Sequence, residues 1–170
     1  MSPKKACASA ANQMGVVTLL SVGPIEEDHA SLEGILKFSK CDLVPKCEWK
    51  VNACRTLVSA RTALRKARVP VVVCESDLRP GTWREVLEEL RSLPDPPFLI
   101  VTSRVADERL WAEALNLGAY DVLAKPFDGM EVARIVSMAW LRWKSRYGVS
   151  AGANSRSGGS VARRSSAPRA

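Results

Sequence analysis

Five short runs of apolar residues, each followed by a stretch with helical spacing, constrain the fold of this chain most strongly. The runs have the length of strands, are rich in β-branched residues and occupy positions 16–22, 49–53, 71–74, 98–101 and 120–124. After each run, apolar residues recur every three or four positions, which indicates five helices. Apolar strands that alternate with helices are typical of a parallel sheet covered on both faces. The pattern therefore predicts a doubly wound α/β fold of five strands and five helices.

Composition divides the chain into three parts. Residues 1–15 are mostly small and polar, and residues 147–170 are dominated by Gly, Ser, Ala and Arg without periodicity. We predict that both end segments are disordered, because they cannot bury enough apolar surface to offset the entropy lost on ordering. Residues 16–146 are predicted to form one domain. Residues 41–48 resemble an insertion between the first helix and the second strand, for which the sequence offers no explanation.

The net charge of +7 and the pI of about 9.4 come from the end segments. Without the basic residues of 1–13 and 146–170, the central part is formally neutral, so the pI does not predict a nucleic-acid groove in the fold. We expect only weak nucleic-acid association through the arginines of the C-terminal segment. That segment has no aromatic residue after Tyr147 on which bases could stack.

Several functional classes are excluded by what the sequence lacks. No glycine-rich nucleotide-binding motif follows the first strand, and the lone His29 does not suit a Ser-His-Asp triad, so we expect no enzyme. No apolar run approaches the roughly 18 residues of a membrane span, and no secretory leader is evident. Five cysteines without C-x-x-C spacing are expected to be reduced thiols of a cytoplasmic protein rather than metal ligands.

The stretch 118–127, Gly-Ala-Tyr-Asp-Val-Leu-Ala-Lys-Pro-Phe, is a turn, a short strand and then Lys125. Ligands of open α/β sheets bind at the carboxyl ends of the strands, so Lys125 is either a functional cation or a solvated surface charge. The stretch resembles the last strand and Lys-Pro-Phe turn of response-regulator receiver domains, the CheY-like family of two-component phosphorelay signalling. The resemblance extends over residues 16–143. It implies a flavodoxin-like sheet with strand order 2-1-3-4-5 and a cis bond before Pro126.

The resemblance also implies a phosphorylation pocket, of which two parts are present here. In the family, an acid pair after the first strand and an acceptor aspartate after the third bind magnesium. A Thr or Ser after the fourth strand, matched by Thr102, and a lysine, matched by Lys125, complete the pocket. The first strand here ends at residues 21–24 in Ser-Val-Gly-Pro, without a carboxylate. The family's aromatic switch position is Val122.

The acceptor position is assigned by register. Counting back from Gly81 and the apolar face of the third helix places Glu75 there, with Ser76 and Asp77 as alternatives. Glutamate is one methylene longer than aspartate, so its carboxylate is expected to reach Lys125 and form an ion pair. This position is therefore predicted to be a degenerate acceptor.

No cofactor is expected, because magnesium requires a near-octahedral set of oxygen ligands that the pocket lacks. The acids Glu26, Glu27 and Asp28 are predicted to point away from the pocket, and His29 to have no role in it. Together these features predict a pseudo-receiver. Mg²⁺ enters only in the alternative, a phosphorylatable receiver in which Glu26 or Asp28 swings into the pocket.

The family's usual interaction surface comprises the fourth helix, fifth strand and fifth helix. Leu110, Trp111, Trp140 and Trp143 are predicted to supply a partner-binding face there, although tryptophans at such positions also fill cores. The expected partners are signalling proteins, either a histidine kinase or another regulator, and a second copy of the chain; no membrane partner is expected. Thr102 is equally well interpreted as a simple helix N-cap, a role that Ser103 or Asp107 could also fill.

Overall fold

The computed structural model describes residues 15–38 and 47–148. They form one sheet of five parallel strands in the order β2-β1-β3-β4-β5, with five helices, as predicted. The strands are β1 (Val16–Val22), β2 (Glu48–Cys54), β3 (Val71–Glu75), β4 (Phe98–Ser103) and β5 (Asp121–Ala124), and the helices are α1 (Glu26–Phe38), α2 (Leu57–Lys66), α3 (Trp83–Arg91), α4 (Glu108–Leu117) and α5 (Gly129–Tyr147). Of the end segments predicted to be disordered, Gly15, Tyr147 and Gly148 are described, and Tyr147 is the last residue of α5, so the predicted domain end at 146 is one residue too early. The rest of both segments and residues 41–46 of the predicted insertion lie outside the described residues.

Two apolar clusters cover the two faces of the sheet. One, which we call the α2–α4 cluster, contains Leu57 of α2, Val86 of α3 and Ala114 of α4. The other, the α1–α5 cluster, contains Leu32 of α1 and Val136 of α5. Because successive residues of a strand point to opposite faces, the apolar runs supply both clusters at once.

Polar residues determine where four of the helices begin. Side-chain oxygens of Thr56, Thr82, Asp107 and Asp128 each accept a hydrogen bond from a backbone N–H in the first turn of α2, α3, α4 and α5 respectively. Asp107 is therefore the N-cap of α4, and the interpretation of Thr102 as a helix cap is wrong. Thr102 lies five residues earlier, inside β4.

Because all five strands are parallel, their carboxyl ends lie at one edge of the sheet. Val22 of β1 pairs with Cys74 of β3, and Glu75 pairs with Thr102 of β4. The side chains that follow these positions converge there, which is where open α/β sheets bind ligands.

Leu19, at the centre of the sheet, is fully buried, whereas Leu115 of α4 is 46% exposed. Leu19→Ala should lower the free energy of unfolding by about 3 kcal/mol, because it removes apolar contacts and leaves a cavity. Leu115→Ala removes the same atoms from a solvated site and should cost under about 1 kcal/mol. Urea unfolding measures both, and equal losses would contradict the described core.

Candidate functional site

A buried lysine lies at the centre of the site. Lys125 directly follows β5 and is 8% exposed, so its interpretation as a solvated surface cation is wrong. Its ammonium group donates to Asp28 Oδ2 at 2.5 Å and also to Glu75 Oε2. The three charged groups form one ion-paired network that joins β5, α1 and β3. Burial makes such a network costly to break, since any charge that loses its partner stays desolvated.

Glu75 ends β3, and its carboxylate bonds Lys125 as predicted. Its other oxygen, Oε1, accepts a hydrogen bond from the Ser76 hydroxyl at 3.3 Å. The loop after β1 passes close by, because a Cβ placed on Gly23 would lie 3.3 Å from Glu75 Cβ. Glycine at this position therefore allows the loop to cover the glutamate closely.

Asp28 corrects the sequence analysis, which placed it outside the pocket. It is the third residue of α1 and lies four residues before the buried Leu32, so both side chains face the sheet. The i, i+4 spacing to Leu32 was the signal that could have predicted this placement. The second Asp28 oxygen is 3.4 Å from the exposed guanidinium of Arg104. Glu26, by contrast, is exposed and pairs with Arg55 outside the pocket.

His29 was predicted to have no role in the pocket, and this prediction is also wrong. The imidazole is 4% exposed; its Nε2 lies 2.9 Å from the Gly23 carbonyl, and its Nδ1 lies 2.7 Å from Ser21 Oγ. A carbonyl can only accept, so Nε2 donates to it, and in the neutral ring Nδ1 accepts from the serine hydroxyl. His29 thereby holds the loop after β1 against the pocket.

The alternative acceptors differ in their distance from the network. Ser76 lies beside Glu75, to which it donates. Asp77 is exposed and accepts from Arg79 Nε at 2.8 Å, so its carboxylate is engaged on the surface. Ser76 can therefore be considered part of the site, whereas Asp77 lies at its rim.

The remaining residues of the predicted pocket lie on β4, on β5 and in the turn after β5. Thr102 is buried and lines the pocket, and its hydroxyl lies 3.5 Å from the Cys74 carbonyl that it donates to. Val122 is fully buried in β5 and packs within the α2–α4 cluster. The Lys125–Pro126 bond is cis, as the family resemblance implied.

Little space remains inside the pocket. The cavity lined by Ser21, Asp28, Glu75, Thr102 and Lys125 measures about 10 Å³. A cavity of that volume is at the lower limit for one water molecule. The lysine and the two carboxylates therefore fill the space between the strand ends.

The donor set does not fit a magnesium ion. Magnesium prefers near-octahedral oxygen ligands, but both carboxylates that reach the pocket bond the Lys125 ammonium. The end of β1 contributes Ser21, Val22 and Gly23 and no acid. Within residues 15–38 and 47–148, no three His, Cys, Asp or Glu side chains are grouped so that they could hold a metal ion.

The four residues predicted as one partner-binding face lie on both sides of the sheet. Leu110 and Trp111 pack against the α2–α4 cluster. Trp140 packs against the α1–α5 cluster and contacts Trp49 of β2, the edge strand opposite β5, with ring centroids 6.1 Å apart. Trp143 is only 7% exposed. The four side chains therefore form no continuous face, because helical spacing alone does not reveal which neighbour each tryptophan meets.

Comparison with solved structures identifies the fold. The chain is similar to the signal receiver domain of an HD domain-containing protein from Pseudomonas fluorescens Pf-5, with a TM-score of 0.64, 22% identity, and coverage of 78% of this chain and 92% of that one. It is also similar to the CheY-like receiver domain protein of Methanospirillum hungatei JF-1 (TM-score 0.63, 15% identity, 77% and 98% covered). A third similar structure is the chemotaxis response regulator CheY4 of Vibrio cholerae (TM-score 0.60, 16% identity, 73% and 98% covered).

At these identities, the similarity shows that the fold is that of a CheY-like response-regulator receiver domain, which confirms the predicted strand order. No protein-family model and no curated protein matches the sequence. Among the helices of the described segments, none has the length and apolar character needed to cross a membrane.

Lys125→Met should lower the free energy of unfolding by about 3 kcal/mol, because it leaves two largely buried carboxylates without their cation. Arg104→Met provides a matched control. It removes a cation from the same Asp28, but Arg104 is 62% exposed, so the loss should stay under about 1 kcal/mol. Urea unfolding compares the two variants, and similar losses would show that Lys125 is not the centre of the network.

Cys74 precedes Glu75 and is fully buried. Burial raises the pKa of the Cys74 thiol well above its usual range, the Glu75 carboxylate raises it further, and the Lys125 ammonium opposes these effects. The thiol therefore stays protonated and unreactive at neutral pH. Peptide mass spectrometry after iodoacetamide treatment should find Cys74 unmodified in the native protein and modified in urea. The half-exposed Cys47 should react faster than Cys74, and equal native rates for the two cysteines would refute this expectation.

Proposed function

We propose that this chain is a receiver-like signalling domain of a two-component phosphorelay that binds partner proteins without metal-dependent phosphoryl transfer. One observation carries the proposal: the Lys125 ammonium bonds both Glu75 and Asp28 and leaves about 10 Å³ of free space. The charges that would act on a phosphoryl group and its metal are instead paired with one another. The site is thus a structural connection between strands rather than a reaction centre, and the domain is not an enzyme.

The receiver fold supports the proposed role in two-component signalling. The sheet order and the Lys125–Pro126 turn match the family that the sequence resembles. Receiver domains respond to kinases and other regulators, and we propose partners of the same kind for this chain in the cytoplasm. Leu110 and Trp111 of α4 are only partly buried and remain candidates for such a contact, and a second copy of the chain is a further candidate partner.

Phosphoryl transfer depends on positioning and on charge neutralisation at the transferred group. In this pocket Glu75 is already bonded by Lys125 and by the Ser76 hydroxyl. Transfer to Glu75 would require both bonds to break and space to open beside a strand end that is almost completely packed. These requirements support the degenerate pocket proposed here.

A phosphorylatable receiver with a rearranged acidic pocket is the second candidate, because Asp28 does reach the pocket. In a phosphorylatable receiver, Asp28 would have to leave Lys125 and bind Mg²⁺ together with Glu75. Magnesium titration monitored by tryptophan fluorescence separates the candidates, since Trp83 begins the helix that follows β3. A saturable change at millimolar magnesium would favour the second candidate.

Acetyl phosphate with magnesium should leave the mass of the intact protein unchanged, because no metal-held acceptor is free. Glu75→Gln serves as the matched control and should behave like the unchanged protein. A stoichiometric phosphoryl adduct on Glu75, Ser76 or Asp77 in the unchanged protein would contradict the proposed function. Its loss in Glu75→Gln would then assign the adduct to the glutamate.

A further inference from the structure

The carboxyl-terminal ends of α2 and α5 meet at the amino-terminal edge of the sheet, opposite the lysine site. The two helices cover different faces of the sheet, and Arg68 connects them around its edge. The Arg68 guanidinium donates to the Tyr147 carbonyl at 3.1 Å, lies 4.5 Å from the centre of the Trp143 ring and pairs with Asp95 at 2.7 Å. This link places the last turns of both helices side by side.

Exposed cations lie around the junction at which the carboxyl-terminal ends of α2 and α5 meet. We call these cations the basic surface. Its members are Arg65, Lys66 and Arg68 at the end of α2 and Arg142, Lys144 and Arg146 at the end of α5. Arg65, Lys66 and Arg68 line an open cavity of about 270 Å³, in which the carboxylate of Asp95 is paired with Arg68. The other five cations have no salt-bridge partner among the described residues.

Charge is not divided strictly between the two edges, since Glu48 and Asp121 begin β2 and β5 at the same edge as the basic surface and Arg79 and Arg109 lie at the opposite edge. Acids such as Glu26, Asp107 and Asp128 lie at the opposite edge, at or beside the starts of helices. The helix dipole favours a cation at the carboxyl-terminal end of a helix, but it does not require two such ends to lie side by side. Residues 149–170 follow this junction along the chain and add four arginines and no acid.

We propose that the basic surface binds duplex DNA through its phosphates. Clustered exposed cations attract the phosphate backbone and release its counterions, without reading sequence. Trp143 is buried beneath Arg68 and Trp140 is half-buried, so neither offers the open stacking platform of a single-strand binder. Phe38, exposed at the end of α1, would instead favour an anionic membrane, so vesicles form the competing arm of the test.

The test uses the full chain and fluorescence anisotropy of a labelled duplex from about 50 to 200 mM salt. The double variants are Arg65→Gln with Lys66→Gln, and Arg142→Gln with Arg146→Gln. Each should weaken binding several-fold at low salt. Each should also make the slope of log K against log salt shallower by about 2, because each lost phosphate contact removes about 0.9.

Arg79→Gln with Arg109→Gln is the matched control, because it removes two exposed cations from the opposite edge of the sheet. It should leave both affinity and slope unchanged. Unchanged binding by both basic-surface variants would assign binding to residues 149–170 and overturn the proposal. So would equal weakening by the control, absence of DNA binding, or tighter binding to vesicles containing phosphatidylserine than to the duplex. Circular dichroism checks that every variant is folded.

Discussion

The site depends on one cation held by two anions at the carboxyl edge of the sheet. Lys125 joins β5 to β3 through Glu75 and to α1 through Asp28, so three elements that are distant in sequence share one ion-paired network. Removing one of these charges leaves its partner desolvated and unpaired, which costs free energy. The loop after β1 closes over this network through Gly23, which His29 holds by a hydrogen bond to its carbonyl.

The receiver fold and the proposed degenerate pocket depend on different interactions. The fold is stabilised by apolar clusters on both faces of the sheet, and neither cluster needs a metal ion or an acid pair. The pocket lies at the edge, where a few side chains can change without disturbing the core. At that edge, the Lys125 ammonium pairs with the carboxylates of Glu75 and Asp28.

Much of the fold could be predicted because its signals are local. Strand β1 begins and ends at the predicted residues, and the apolar residues on α3 predict the face that it buries. The prediction that Glu75 meets Lys125 was also confirmed, because the register along β3 and the Lys-Pro turn can both be recognised in the sequence. The errors concern side-chain direction and contacts between distant elements. Asp28 and His29 were judged by their separation from β1, whereas the rotation of α1 turns both toward the pocket.

The sequence by itself determined the order of strands and helices, their buried faces and the presence of a lysine at the last strand end. Those features follow from periodicity and capping, which act over a few residues. Only the tertiary structure decided which carboxylates Lys125 would meet, that Trp140 would face Trp49, and that Arg68 would connect the carboxyl-terminal ends of α2 and α5. Such outcomes depend on how distant elements are brought together, and neither composition nor spacing along the chain specifies that arrangement.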